Sequence, residues 1–161
     1  MILIPLTQGK FAKIDDDDFE KISFCKWNFN CGYADGNKRV DGKFKHIKMH
    51  RVILCAPKGY YVDHINHDML DNRKENLRIC TSSQNVGNSV LSKRSKTGFK
   101  GVYYGPSYSK QKPYMAHICK NRKLIHLGMY ATIEEAAEAY NKKAIELFGE
   151  FANLNVFEVT K

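Results

Sequence analysis

The stretch that most constrains the fold runs from Tyr60 to Asn88 and reads YYVDHINHDMLDNRKENLRICTSSQNVGN. It concentrates histidine, aspartate and asparagine side chains and holds little apolar material, so it cannot build an ordinary core. Each amide or carboxylate that is withdrawn from water costs about 1–3 kcal/mol unless it is paired. We therefore expect the polar groups of this stretch to bond to one another or to a ligand.

Short apolar runs divide the stretch into a ββα pattern. Residues 60–62 are compatible with a strand that ends in Asp63 and His64, and residues 77–79 with a second strand. A threonine or serine that follows the second strand then caps a helix carrying Asn85. The pattern predicts strand, polar loop, strand and helix, in that order.

The ends of these elements carry the chemistry of a metal site. Asp63 offers a carboxylate oxygen and Asn85 a carbonyl oxygen, which together can hold a divalent cation and leave positions for water and phosphate. Strand alternation sends the His64 side chain away from Asp63, and a neutral imidazole is a suitable base near pH 7. Asn76 can hydrogen-bond across the loop and hold the two strands in register.

The segment VDHINHDMLDNRKENLRICTSSQN resembles the HNH endonuclease motif of phage homing endonucleases and related nicking enzymes, and the resemblance extends from His50 to Asn88. It implies a ββα-metal (His-Me finger) unit in which His64 is the general base and Asn76 is the middle asparagine. It also implies that Asp63 and Asn85 bind Mg²⁺ or a similar hard cation such as Mn²⁺.

The other polar side chains of this region are interpreted without a catalytic role. His50 is expected to pack or to hydrogen-bond, with a contribution to the site as the alternative, and Arg78 is a candidate phosphate contact. Phosphate contact and simple solvation remain open for Arg73 and Lys74. His67 and Asp68 are interpreted as solvated loop positions, with extra metal ligands as the alternative. The turn formers are Asn66, Asp71 and Asn72.

The net charge of +9 is distributed unevenly. The segment from Arg78 to Ile133 contains neither aspartate nor glutamate, whereas a solvated surface usually mixes both signs. Basic residues interleaved with tyrosines favour a polyanionic partner, and a basic domain without nucleic acid is the alternative. The candidate DNA-binding residues are Arg78, Lys93, Arg94, Lys96, Lys100, Tyr103, Lys112, His117, Lys120, Arg122, Lys123 and His126.

The C-terminal part predicts a three-stranded antiparallel sheet packed on one helix. The expected strands are residues 101–104, 114–119 and 124–127, and Thr132 with Glu135 forms a capping box at the start of the helix. The segment from Gly101 to Asn155 resembles the plant Apetala/ethylene-response-factor DNA-binding domain, which occurs fused to HNH nucleases. The resemblance implies that the exposed sheet face lies in the DNA major groove.

This chain departs from the plant pattern on that sheet face. Cys119, Leu124 and His126 occupy positions where the family tends to have Arg or Trp, and Arg reads guanine through a bidentate contact. The resemblance therefore carries over a pose on DNA but not the sequence preference of the plant proteins.

The rest of the chain supplies the framework. Residues 1–48 are expected to form a β-rich segment, in which Asp15–Asp18 begins a short exposed helix and Trp27 belongs to the core. The five cysteines form no C-x-x-C pair, so we expect small core residues and no structural zinc. No apolar run is long enough to span a membrane, and the chain is expected to stay in the cytosol, in a bacterial or phage-infected cell.

Together these observations predict an α+β chain with four segments: the N-terminal part (1–48), the nuclease (49–90), a basic linker (91–98) and the DNA-binding domain (99–157). The predicted function is a metal-dependent HNH endonuclease of the homing type that acts on duplex DNA as a monomer or weak dimer. The first alternative is a DNA-binding regulator or accessory protein whose nuclease unit is inactive. A second alternative is an RNA-binding protein, but it would not explain the metal constellation.

Overall fold

The computed structural model describes residues 1–157 and divides the chain into two compact units, Met1–Thr81 and the part that begins at Ser82. Three antiparallel sheets and two short helices make up the first unit. Their bounds are β1 (Ile2–Pro5), β2 (Phe11–Ile14), α1 (Phe19–Ile22), β3 (Asn28–Asn30), β4 (Tyr33–Val40), β5 (Lys43–Lys48), α2 (Met49–Ile53), β6 (Tyr61–His64) and β7 (Leu77–Cys80). The pairings are β1 with β2, β3-β4-β5, and β6 with β7.

One apolar cluster holds the first unit together. Its members come from every sheet and include Ile14, Ile22, Trp27, Met49 and Leu77. The indole N–H of Trp27 donates to the carbonyl oxygen of Ile22 at 2.8 Å, so the buried ring leaves no polar atom unpaired. The expectation that Trp27 belongs to the core is confirmed.

The acidic run does more than begin a helix. Asp16–Asp18 forms a 3₁₀ turn, and the Asp18 carboxylate is fully buried between the ammonium groups of Lys21 at 2.7 Å and Lys74 at 3.0 Å. Burial raises the pKa of Asp18, but the two lysines outweigh it and lower the pKa overall. The run was expected to form the exposed start of a helix, and this expectation is wrong for Asp18. Through its pair with Lys74, Asp18 links the N-terminal segment to the turn before β7.

The second unit begins with α3 (Ser82–Gly87) and continues with β8 (Val102–Tyr104), β9 (Tyr114–Lys120), β10 (Lys123–Tyr130) and α4 (Ile133–Phe148). The strands are antiparallel in the order β10-β9-β8. The Thr132 side chain accepts from the Glu135 N–H at 3.2 Å, and the Glu135 carboxylate accepts from the Thr132 N–H. The predicted sheet, helix and capping box are all present.

Strand alternation gives this sheet one buried and one open face. Val102, Ala116 and the α4 residues Ala136 and Ala137 form a cluster on the buried face. Direct cross-strand partners share a face, so the register places Leu124 opposite Cys119 and His126 opposite His117 on the other one. The open face therefore carries Tyr103, Met115, His117, Cys119, Leu124 and His126.

Helix α3 packs within the second unit. A side chain at Gly87 would place its Cβ 2.7 Å from Cγ of Phe148, so the helix end fits only as glycine. The ammonium of Lys100 donates to the carbonyl oxygens of Gly87 and Ser89, both at 2.7 Å. Burial lowers the pKa of Lys100 to about 8.

The cysteines correct one expectation. Cys80 is buried, Cys25 is half-buried, and Cys31, Cys55 and Cys119 are exposed, so the interpretation as small core residues is wrong for three of the five. Cys119 is exposed because its strand position points away from α4. Across residues 1–157, no helix combines the length and the apolar character that a bilayer crossing requires.

Candidate active site

The β6–β7 pair positions the two central residues of the site. In its register, Asp63 lies opposite Arg78, and His64 lies opposite Leu77. The carboxylate oxygen Oδ2 of Asp63 accepts from Nε and from Nη2 of Arg78, both at 2.9 Å, and both side chains are largely buried. The guanidinium of Arg78 thus pairs with Asp63. A contact of Arg78 with phosphate remains a prediction.

His64 faces a different set of neighbours. Its Nε2 lies 3.2 Å from Oδ1 of Asn72, and its ring lies edge-on to His50 with the ring centres 5.1 Å apart. Burial lowers the pKa of His64, although the bond to Asn72 and the carboxylate of Asp63 act in the opposite direction. The imidazole is therefore neutral near pH 7, which is the form that can accept a proton.

Asn72 determines which nitrogen of His64 carries the proton. The Asn72 amide nitrogen donates to the carbonyl oxygen of Leu70 at 3.3 Å and faces the sulfur of Met49 at 3.7 Å. These acceptors orient the amide so that its oxygen faces the imidazole, and an amide oxygen can only accept. Nε2 of His64 must then be the donor, and the lone pair of the base is on Nδ1.

Asn76 fastens the loop between the two strands. Its side-chain oxygen accepts from the Asn66 N–H at 2.9 Å, and its amide nitrogen donates to the carbonyl oxygen of Asp71 at 2.8 Å. Its own carbonyl oxygen accepts from the Ile65 N–H at 2.9 Å. The expected cross-loop bonds of Asn76 are present, and a catalytic role for this residue remains a prediction.

Ion pairs also hold the loop between β6 and β7. Arg73 donates to both carboxylate oxygens of Asp71, at 2.8 and 2.7 Å, and this pairing lowers the pKa of Asp71. Lys74 pairs with Asp18, and Asp68 pairs with Lys13 at 3.2 Å. Arg73, Lys74 and Asp68 each have an ionic partner, and the side chains of Lys74 and Asp68 are still 42% and 43% exposed, so these two are both paired and solvated.

Sequence reasoning missed Tyr33 and interpreted Asn72 only as a turn former, whereas the packing of His50 was expected. The ring of Tyr33 lies 5.3 Å from that of His50 and 6.2 Å from that of His64, measured between ring centres. Burial lowers the pKa of His50 to about 3, so this histidine stays neutral over the working range of pH. His50 begins the segment on which the family resemblance rests, whereas nothing in the sequence pointed to Tyr33.

The donor chemistry suits a hard divalent cation that keeps several waters. No group of three histidine, cysteine, aspartate or glutamate side chains that could hold a metal ion occurs in residues 1–157. Mg²⁺ needs no such cage, since it is commonly held by one or two carboxylates together with water and substrate phosphate. Asp63 supplies a buried carboxylate in the first unit. Asn85 belongs to α3 of the second unit, and its role as a ligand remains a prediction.

The open sheet face of the second unit combines two histidines with aromatic and apolar side chains. Nδ1 of His126 lies 2.8 Å from Nε2 of His117, and Tyr103 packs beside His117 with ring centres 5.4 Å apart. Lys120 and Lys123 are direct partners at the hairpin end, and the Lys120 ammonium donates to the Leu147 carbonyl oxygen of α4 at 3.3 Å. The residues predicted to contact DNA are thus of two kinds: histidine and aromatic side chains on the sheet face, and lysines at the hairpin end.

Comparison with known proteins bears directly on this site. The family model described as HNH endonuclease matches residues 55–86, a range that contains Asp63, His64, Asn76 and Asn85. Protein 3.8 of Escherichia phage T7 is 31% identical over 97 residues, which are 60% of this chain and 76% of that protein. No solved structure matches the chain.

A protein of Acanthamoeba polyphaga mimivirus gives the most extensive of these alignments. It is described as an uncharacterized HNH endonuclease and is 33% identical over 155 residues, which are 92% of this chain and 76% of that protein. The match extends well beyond the motif and includes the strands that carry the buried histidine and its neighbours. The chain belongs to the HNH endonuclease family.

Proposed function

We propose that the chain is a metal-dependent endonuclease that hydrolyses phosphodiester bonds in duplex DNA, of the kind found in phage homing endonucleases. One observation carries the proposal: a buried, neutral His64 at the end of β6, with its Nε2 held by Asn72, directly follows a buried carboxylate at Asp63. Membership of the HNH endonuclease family supports the same reaction.

Each residue has a defined task in this proposal. His64 accepts the proton of the attacking water through Nδ1, and Asn72 keeps the ring oriented for that transfer. Asp63 and Asn85 would hold Mg²⁺ or Mn²⁺, which supplies stabilisation of the charge that develops on the phosphate and the leaving oxygen. Asn76 fixes the loop, so that β6 presents His64 in one orientation.

A DNA-binding regulator with an inactive nuclease unit is the second candidate. The buried network around His64 argues against it, because a regulator gains nothing from burying two adjacent histidines and an aspartate. An RNA-binding protein would use the same positive charge, but it gives no reason for this network either.

The second unit is proposed to bind and position the duplex through the open sheet face and the basic linker. One active site cuts one strand at a time, so a double-strand break would need a weak dimer or two sequential cuts. We place the enzyme in the cytosol of a bacterial or phage-infected cell, where its substrate is found.

Supercoiled plasmid provides the direct test. With Mg²⁺ or Mn²⁺, the purified protein is expected to convert it to open-circular or linear DNA, and EDTA is expected to stop the reaction. EDTA should not change the thermal unfolding of the protein, because no structural metal is proposed. A protein that binds DNA but leaves the plasmid supercoiled with every hard cation would be the regulator.

The linker is expected to contribute phosphate contacts. Replacing the exposed residues Lys93, Arg94 and Lys96 with glutamine should reduce the slope of log K against log salt by about 2.7, since each phosphate contact contributes about 0.9. Binding to duplex DNA in EDTA, measured by gel shift over a salt series, gives the slope. The exposed Lys142 of α4, replaced by glutamine, serves as the control and should leave the slope unchanged. An unchanged slope in the triple variant would remove the linker from the interface.

A further inference from the structure

The far ends of β4 and β5 form an exposed two-stranded ribbon, residues 37–46. Strand β3 pairs only with residues 33–35 of β4, so beyond that point β5 is the neighbour of β4. The ribbon is closed by a turn in which Asp41 has a φ of 51° and Gly42 a φ of 75°. Every residue from 37 to 46 is exposed except Val40, which is half-buried. The ribbon thus contributes little to the core of its unit.

The charge of the ribbon is of nearly one sign. Lys38, Arg39, Lys43 and Lys45 are opposed by Asp41 alone, so four positive charges and one negative charge leave a net +3. Lys38 lies directly opposite Lys45, an arrangement of like charges that destabilises a free ribbon. Throughout residues 1–157, none of the four cations forms an ion pair. The Lys38 ammonium does lie over the Phe24 ring, 5.1 Å from its centre, an aromatic contact that leaves its charge in place.

Phe44 adds an apolar group to the same element. Its side chain is 76% exposed, the second highest exposure among the large apolar residues described. Arg39 is its direct cross-strand partner, so the aromatic ring and the guanidinium lie on one face of the ribbon. Lys38, Lys43 and Lys45 lie on the opposite face, since alternate residues of a strand point to opposite sides. One face therefore carries three lysines beside the half-buried Val40, and the other combines an aromatic group with a planar donor.

We propose that this ribbon enters the major groove of duplex DNA, with its lysines on the phosphates and with Arg39 and Phe44 directed towards the base edges. The inference rests on the proposed function for its choice of duplex DNA as the partner. It adds a reading element to the first unit, to which no DNA contact beyond Arg78 has been assigned.

The dimensions and the chemistry fit that groove. Four residue pairs at about 3.4 Å per residue give a ribbon roughly 14 Å long, and the strands lie about 4.8 Å apart. The major groove, about 12 Å wide and about 8.5 Å deep, admits a two-stranded ribbon. Arginine donates to guanine in the major groove, and an apolar side chain contacts the methyl group of thymine. The narrow and deep major groove of duplex RNA would not accept it.

A charge-matched pair of variants tests the proposal. Replacing Lys43 and Lys45 with glutamine removes two ribbon cations, and replacing the exposed Lys10 and Lys58 removes two cations elsewhere in the same unit. Binding of the full chain to duplex DNA in EDTA is measured by filter binding over a salt series. The ribbon variant is expected to lower the slope of log K against log salt by about 1.8 and the affinity at 0.15 M salt by about tenfold or more, while the control changes neither.

Phe44→Ala tests the reading of bases separately. The salt slope should stay at the wild-type value, because no charge is lost, while the preference for one duplex over competitor duplexes should fall. All the replaced residues are exposed, so thermal unfolding should be unchanged, and circular dichroism verifies that each variant is folded.

The outcomes distinguish this inference from the function on which it rests. Wild-type protein that cuts plasmid, together with ribbon variants that bind like the Lys10 and Lys58 control, would overturn the ribbon alone. Wild-type protein that neither binds nor cuts DNA would overturn the proposed function and the ribbon with it. Ribbon variants that lose affinity for duplex RNA but not for duplex DNA would also overturn the ribbon proposal.

Discussion

Replacing His64 with alanine is expected to lower the rate of DNA cleavage by about 10²–10⁴-fold while DNA affinity stays close to that of the wild type. In the proposed mechanism the imidazole acts on the attacking water, and it is buried, so it should contribute to the chemical step and little to docking. Single-turnover cleavage at saturating enzyme isolates the chemical step, and gel shift in EDTA gives the affinity.

A second histidine provides the matched control. His67 lies three residues further along the same loop, is exposed, and has a φ of 64°. Asparagine adopts that backbone conformation readily, so His67→Asn should preserve the loop and the cleavage rate. Equal rates in His64→Ala and the wild type would remove His64 from the mechanism, and equal losses in both histidine variants would indicate a general disturbance of the loop.

Replacing Asp63 with alanine is expected to cost about 3–5 kcal/mol of the free energy of unfolding, because it leaves the Arg78 guanidinium largely buried without its partner. The measurement is urea unfolding in EDTA, where no cation contributes to the stability. In Mg²⁺ the same variant should also lose cleavage, since the proposed ligand is gone.

Arg78→Leu separates the two roles of that carboxylate. It should destabilise the protein in EDTA by a comparable amount, because the buried carboxylate then loses the guanidinium, yet it keeps the oxygen proposed to bind the cation. Cleavage by Arg78→Leu below its unfolding temperature should therefore be retained in part and should respond to raised Mg²⁺. If Asp63→Ala unfolds at wild-type urea concentrations, the ion pair does not hold the β6–β7 pair together.

The sequence was sufficient for the elements with strong local signals. The strands around Asp63 and Leu77 were predicted because apolar residues flank the polar loop, and α4 was predicted because a capping box precedes a 3.6-residue apolar repeat. The proposed base was found for the same reason, since it ends a strand. Local patterns of this kind need no knowledge of distant residues.

The support around the site could not be predicted in this way. Lys74 pairs with Asp18 and Lys13 with Asp68, over separations of more than fifty residues. Whether such a side chain is solvated or paired depends on which segments the fold brings together, and the pattern of one sequence does not contain that information. The contact between Asn72 and His64 spans only eight residues, but it depends on the path of the loop and on Met49 from another element.

The packing of α3 determines where the C-terminal module could be exchanged between related chains. The helix that carries Asn85 belongs to the second unit by its contacts, since Gly87 fits against Phe148 and the Lys100 ammonium closes the helix end. The border between the two units lies at Thr81 and Ser82, ahead of the basic linker. An exchange of C-terminal modules at residues 91–98 would strip α3 of its packing partners. An exchange at residue 81 would instead carry the helix, and Asn85 with it, into the chimera as one intact block.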